Sequence, residues 1–362
     1  MKPYVPEKLP LSSVDWVRFI TLIGQANAEL ARYDGILQGI INPHVLLSPL
    51  TTKEAVISSK IEGTQASLEE VLKYDAAPDT KIEKYDDIRE IINYREAMHF
   101  AVQWLKQKPI TLNLIKEMHS RLLDSVRGRD KARGIFRIGQ NYIGKPGAPI
   151  EQARYIPPAP LMLKDCLDNF EKYVHYDEKD RLVQLAIVHA QFEIIHPFLD
   201  GNGRLGRILI PLFLYEKTVL HSPMFYISEY LETNRAEYYD RLLAVSNDKK
   251  WDDWIEFFLK AIITQAKANS ARAKKILELY NTKKERITKA THSQYVISVL
   301  DTLFKRPIFT SSDFTKTSGI PKRSSLWLLR ILKKEKILSV MRKGAGRRPE
   351  ILGFTKLIDI IE

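Results

Sequence analysis

The sequence predicts a mainly α protein: a helical bundle with a small β-hairpin flap, followed by a C-terminal module of helix-turn-helix and β-wing. Three observations carry this. Apolar residues recur at helical spacing through most of the first 280 residues. One stretch, 134–160, breaks that rhythm with alternating glycines, prolines and β-formers. Basic charge gathers at the far end: residues 271–362 hold 21 Lys+Arg against 8 Asp+Glu, which accounts for the whole chain's net +12.

A chain of 362 residues exceeds one small core, so two or three domains are expected. Hydrophobic residues at 44% and charged residues at 28% describe an ordinary globular protein. A single cysteine, Cys166, excludes an internal disulfide framework and cysteine-rich metal sites. No apolar run long enough for a membrane span and no export-signal core is present, so the expectation is a cytoplasmic protein with no membrane partner.

Residues 12–38 read as the first helix, with Ser12 or Ser13 as N-cap. INPHVLLSPLT (41–51) reads as an extended connector with two prolines. Helices follow over 52–73, 88–106 and 111–125. Beyond the flap they resume over 161–176 and 181–195, again from about Gly203, and over 236–247 and 251–280. The charged tract TKKERITK (282–289) reads as a domain boundary. The division expected is an N-terminal helical region (1–105), a core (106–281) and a basic domain (290–362).

Residues 196–207, HPFLDGNGRLGR, concentrate the chemistry. His196 ends an apolar helical run that Pro197 stops. Gly201 and Gly203 let backbone N–H groups approach an anion, and the next helix points its positive end at the same place. Arg204 and Arg207 share a helix face and offer planar forks for phosphate oxygens. Asp200 supplies a hard oxygen suited to Mg2+ carried by a nucleotide. The His196 imidazole is suited to taking a proton from an attacking hydroxyl. A base, a metal ligand, an anion cradle and two cationic clamps are the parts that phosphoryl-group chemistry needs.

The segment resembles the Fic family signature HPFxDGNGRxxR, with every fixed position present. The resemblance implies transfer of AMP from ATP to a Ser, Thr or Tyr hydroxyl of a protein target, including self-modification. By that likeness His196 is the general base, Asp200 holds Mg2+, and Asn202 with the glycine backbone cradles phosphates. Arg204 and Arg207 grip the β/γ end, and the ATP contacts run through Gly201, Asn202, Gly203, Arg204, Leu205, Gly206 and Arg207. Doc-type relatives carry Lys where Gly203 stands, which favours adenylylation here.

Upstream, Ser58, Glu62 and Gly63 resemble the family's inhibitory motif [ST]xxxE[GN]. Ser58 and Glu62 share a helix face, and Gly63 is expected to admit close approach of another element. A Glu62 carboxylate beside Arg207 would occupy the γ-phosphate position and hold ATP non-productively. ARYIPPAP (153–160) resembles the family's flap, whose edge would take a target segment by strand addition. Tyr155 or Ile156 is expected to clamp the target or the adenine, with simple burial as the alternative. Tyr239, or Tyr238 by a one-residue shift, and Asn247 are expected to close the adenine side. His189 is expected to be packed or capping, and His99, His119, His175, His221 and His292 show no ligand spacing.

The basic end reads as a helix over 293–304, a helix-turn-helix over 311–338 and a hairpin over 336–354, which is the winged-helix pattern. Lys322, Arg323 and Arg330 lie on its second helix, and Arg342, Lys343, Arg347 and Arg348 on its wing. That layout suits DNA, with protein docking as the alternative. A DNA-binding regulator with a nucleotide-sensing core, and an enzyme removing AMP at the same site, are the competing functions. The resemblance also implies pairing as a homodimer.

Overall fold

The protein is described by a computed structural model covering residues 2–40, 42–79, 83–124, 132–144, 147–345 and 348–362. Helix α1 spans Trp16–Gln38 and is capped by Asp15, whose side chain accepts from the Arg18 N–H. The cap therefore falls later than Ser12 or Ser13. Of the stretch 41–51, where Ile41 lies outside the described residues, 43–46 and 48–51 are helical rather than extended. Pro43 opens α2 (Pro43–Leu46), and Pro49 stands in the first turn of α3 (Ser48–Ile61). A first-turn proline lacks only an N–H that the helix leaves unbonded, so it starts helices as well as ending them.

The helix expected over 52–73 is two. After α3 ends, α4 (Leu68–Ala76) restarts behind a capping box of Ser67 and Glu70. Gly63 lies between them at φ +105°. A Cβ at Gly63 would meet nothing within 4 Å, so its glycine serves the turn and not the close approach that the motif suggested.

Helices α5 (Tyr85–Trp104), α6 (Leu112–Leu122) and α7 (Pro160–Val174) surround a central pair, α8 (Arg181–Ile195) and α9 (Asn202–Glu216). Every residue of α8 is buried except Arg181 and Glu193. A helix apolar on all sides belongs in the middle of a core. It packs against α1, α7 and α9, and against the two helices that follow α10 (Ser228–Thr233), namely α11 (Arg235–Asp248) and α12 (Trp251–Thr291). The tract 282–289 lies inside α12, with Lys283 and Ile287 buried four residues apart. Its charges mark a solvated helix face, not a break in the chain.

Among the described residues of 134–160, the expected hairpin is reduced to one antiparallel bridge, Ile143↔Tyr155, and a 3-10 turn at Ile150–Gln152. Pro149, Pro157 and Pro158 donate no backbone hydrogen bonds, which prevents a longer ladder.

The basic end comprises α13 (Val296–Lys305), β1 (Ile308–Thr310), α14 (Ser311–Ser318), α15 (Lys322–Lys334), β2 (Ser339–Arg342), β3 (Ile351–Gly353) and α16 (Thr355–Ile361). The strands form an antiparallel sheet in the order β1-β3-β2. Strand β1 and helix α16 were not foreseen, because three- and seven-residue elements are too short to show a period. Helix α13 packs on α2 and α3, and α16 also touches α3, so the basic end braces the helix that carries Ser58. No helix among the described residues is long and apolar enough to cross a membrane.

Candidate active site

The site forms where α8 ends and α9 begins. His196 caps α8 with a left-handed backbone, φ +47°. Its Nδ1 lies 3.2 Å from the Glu193 carbonyl and must donate to it, which leaves the Nε2 lone pair available. Burial, the largest influence, lowers the imidazole's pKa to about 4, so the ring is neutral at physiological pH and a weaker base than an ordinary histidine.

The loop after His196 is fastened at several points. Asn202 accepts from the Phe198 N–H at 2.9 Å and donates to the Phe198 carbonyl at 2.9 Å. Its side chain is therefore spent on shaping the turn, and any phosphate contact falls to its backbone. His119 on α6 accepts from the Gly134 N–H through Nδ1, so Nε2 carries the proton and donates to the Asp200 carbonyl at 3.1 Å. The same ring stacks on Phe198 with centroids 3.8 Å apart. Sequence reasoning gave His119 no role, since its partners lie 15 and 81 residues away.

Gly201 at φ +78° precedes α9. The first N–H groups of α9 have no intrahelical acceptor, which makes that end an anion site. A carboxylate already lies there. A Cβ built on Gly203 would stand 2.2 Å from Glu62 Oε1. The same oxygen accepts from Arg207 Nη2 at 2.6 Å, while Arg207 Nε donates to Ser58 Oγ and Nη2 to the Ser58 carbonyl, both at 2.8 Å. Burial opposes ionisation of Glu62, but the Arg207 guanidinium overcomes it and holds the carboxyl below its ordinary range. Ser58, Glu62, Gly203 and Arg207 thus meet at one point.

Arg204 turns elsewhere. It is 4% exposed and donates to Glu90 of α5 at 3.0 Å, with a longer 3.5 Å contact to Asp200. The two arginines therefore reach different helices rather than forming one clamp. Leu205 is buried in the core, and the Gly206 carbonyl accepts from His189, so neither turns a side chain to a ligand. His189 is packed as expected and also accepts from the Tyr238 hydroxyl at 2.9 Å.

Asp200 is suited to a nucleotide-borne cation. Its contacts with the Gly201 N–H and Arg204 both use Oδ1, and its side chain is 46% exposed. Among the described residues no cluster of three or more His, Cys, Asp or Glu could hold a metal by itself. One carboxylate completed by phosphate oxygens is the arrangement Mg2+ favours.

Of the two tyrosines expected to close the adenine side, Tyr238 is buried and bonded to His189, and Tyr239 is half-buried. Asn247 is exposed at the far end of α11. The flap corrects the sequence reading. Tyr155 and Ile156 are buried, with Tyr155 donating to the Ile194 carbonyl at 2.8 Å. The flap's exposed large apolar residues, among those described, are Ile135, Ile138, Tyr142 and Ile143, and exposed Arg154 pairs with Asp240 of α11.

Glu193 escaped notice although it is the one acid in an apolar helix. A Cβ on Gly206 would meet Glu193 Oε1 at 2.2 Å, so the glycine makes room for the carboxyl. Burial raises its pKa to about 8, against a smaller opposing effect of Arg207.

On the basic end, Lys322, Arg323, Arg330, Arg342, Lys343 and Arg348 are all exposed, and Arg347 lies outside the described residues.

The Fic/DOC family N-terminal model matches residues 20–103, and the Fic/DOC family model matches residues 109–214. The protein adenylyltransferase Fic of Drosophila mojavensis is 34% identical over 164 residues, 42% of this chain and 30% of the relative. That of Drosophila melanogaster is 33% identical over the same length. The chain thus spans less than a third of these relatives. A Fic family protein from Desulfovibrio desulfuricans G20 aligns over 98% of both chains with a TM-score of 0.59 at 17% identity. A Fic domain containing signaling protein from Bacteroides thetaiotaomicron covers 70% of this chain and 97% of its own with a TM-score of 0.53 at 16% identity. At such identities the likeness establishes the fold alone. With two family models matched from residue 20 to residue 214, the chain belongs to the Fic/DOC family.

Proposed function

We propose that this chain is a protein adenylyltransferase held off by Glu62. The observation that carries the reading is the Glu62 carboxylate against Gly203 and Arg207, at the helix end that phosphates would otherwise occupy. With Glu62 displaced, Arg207 and the first N–H groups of α9 receive the phosphates of ATP. Tyr239 borders the nucleoside, and the flap edge receives the target segment. His196 Nε2 takes the proton of the target hydroxyl. The oxygen then bonds to the α-phosphorus as the α–β phosphoanhydride bond breaks, and pyrophosphate leaves. Mg2+ arriving with the nucleotide supplies charge neutralisation at the phosphates, with Asp200 as its protein ligand. The division of labour is an N-terminal inhibitory region, a core and a basic winged-helix domain.

Labelled ATP tests this with the intact chain, Glu62→Gly and His196→Ala. Label transfer that rises in Glu62→Gly and disappears in the Glu62→Gly, His196→Ala double variant is expected. Equal transfer in all variants overturns the inhibitory role, and no transfer by any variant overturns the enzyme. The second reading, a DNA-binding regulator, rests on the exposed cations of the basic end.

A further inference from the structure

The end of α8 poses a hydrogen-bonding problem that local sequence does not solve. A helix leaves its last carbonyls without intrahelical partners. Here the acceptors are the carbonyls of Glu193, Ile194, Ile195 and His196, and side chains serve all four. His196 Nδ1 serves Glu193, and Tyr155 serves Ile194. Arg137 serves the other two, with Nη2 at 3.4 Å from the Ile195 carbonyl and Nε at 2.9 Å from that of His196.

Arg137 does more than cap. Nη1 donates to the Gly139 carbonyl at 3.3 Å and Nη2 to the Pro158 carbonyl at 2.6 Å. Its backbone N–H donates to the Pro197 carbonyl at 2.9 Å. Arg137 is 3% exposed, and among the described residues the acceptors it meets are carbonyls rather than a carboxylate. A buried cation without a counter-ion is costly to keep. A planar, preorganised fork of five donors is suited to joining carbonyls from three segments at once.

We propose that Arg137 is the positioning residue that welds the flap to His196. Its acceptors lie at the start of the flap (Gly139), at its end (Pro158) and on the backbone of His196 itself. The element that would hold a target segment and the residue that would deprotonate its hydroxyl therefore move as one body. None of the hydrogen bonds that Arg137 makes goes to Arg207 or to the start of α9, where the phosphates of ATP would bind. The proposal rests on the adenylyltransferase reading for its catalytic consequence, but not for its structural one.

Arg137→Lys and Arg137→Met, each in the Glu62→Gly background, separate these. Hydrogen exchange of residues 138–158 is expected to quicken at least tenfold in both variants. ATP affinity by calorimetry should stay within about twofold, and the turnover number for label transfer should fall at least tenfold with KM for ATP unmoved. Tyr155→Phe, which removes one flap anchor, should fall between parent and Arg137→Lys in exchange. Unchanged flap exchange in Arg137→Lys overturns the proposal, as does a loss of ATP binding in step with transfer, which would mark general unfolding. If the Glu62→Gly parent transfers no label, the enzyme reading fails, and flap exchange alone still decides the role of Arg137.

Discussion

Arg204 and Arg207 are 4% and 1% exposed, and each meets a carboxylate, Glu90 in one case and Glu62 in the other. On the basic end, Lys322, Arg323 and Arg330 lie open to water on α15, and among the described residues none of them pairs with a carboxylate. Both regions are rich in cations, but they hold them in different ways. Burial makes a charge expensive to strand, and at the central site Arg204 and Arg207 are each matched by a carboxylate. Exposure makes a charge cheap and available, at the cost of screening by salt. A folded site that binds one shaped ligand suits the first region, and long-range attraction of a polyanion suits the second.

The comparison breaks first at Glu62. Glu62→Ala removes the one carboxylate that Arg207 meets while leaving its two Ser58 contacts, and with the Glu62 side chain about a third exposed it should lower stability by about 1–3 kcal/mol, measured by urea unfolding. ATP should restore part of the loss by occupying the vacated place, through mass action. A stability change below about 1 kcal/mol would mean the buried pair is not the strong contact its geometry suggests.

Acid should come next. His119 and His189 have pKa values lowered by burial to about 4 and about 3, and both side chains hold the site together. Their unfolded forms take up protons below pH 6.5 while the folded forms do not. Stability is therefore intact above that pH and falls as pH drops toward 4, by about 4 kcal/mol between pH 7 and pH 5 for the two together. His119→Asn should flatten this fall in a series of urea titrations.

Glu193 works with the opposite sign. Its carboxyl titrates near 8 when folded against 4.5 ordinarily. Stability is then lost as pH rises through that window, because only the unfolded state ionises. Glu193→Gln should remove about 1–2 kcal/mol of that loss at pH 8, read from melting at pH 6 and pH 8.

The smallest effect sharpens the contrast. Arg323→Ala or Arg330→Ala should change stability by less than about 0.5 kcal/mol. Either should reduce the salt slope of duplex DNA binding by about 1. No association with duplex DNA at low salt would remove nucleic acid as the partner of this face.

Much of the site was legible because its residues are contiguous. HPFLDGNGRLGR carries the helix stop, the turn and the new helix start in one run of local rules. Ser58 and Glu62 were legible through their four-residue spacing, and the structure brings both onto Arg207. At the flap, alternation and glycines announce an irregular segment without saying which side chains face inward, so the sequence left both a clamp and simple burial open. Tyr155 and Ile156 point into the core, while Ile138 and Tyr142 face solvent.

By itself, then, the sequence determined the helical periods, the glycine turn that opens α9 and the segregation of basic charge, since each depends on neighbours within a few positions. Only the tertiary structure decided which carbonyls needed partners and which side chains reached them. Arg137 lies 59 residues from His196, and Glu62 lies 145 from Arg207. Pairings at such separations follow from how packed helices cross, and no local pattern records that.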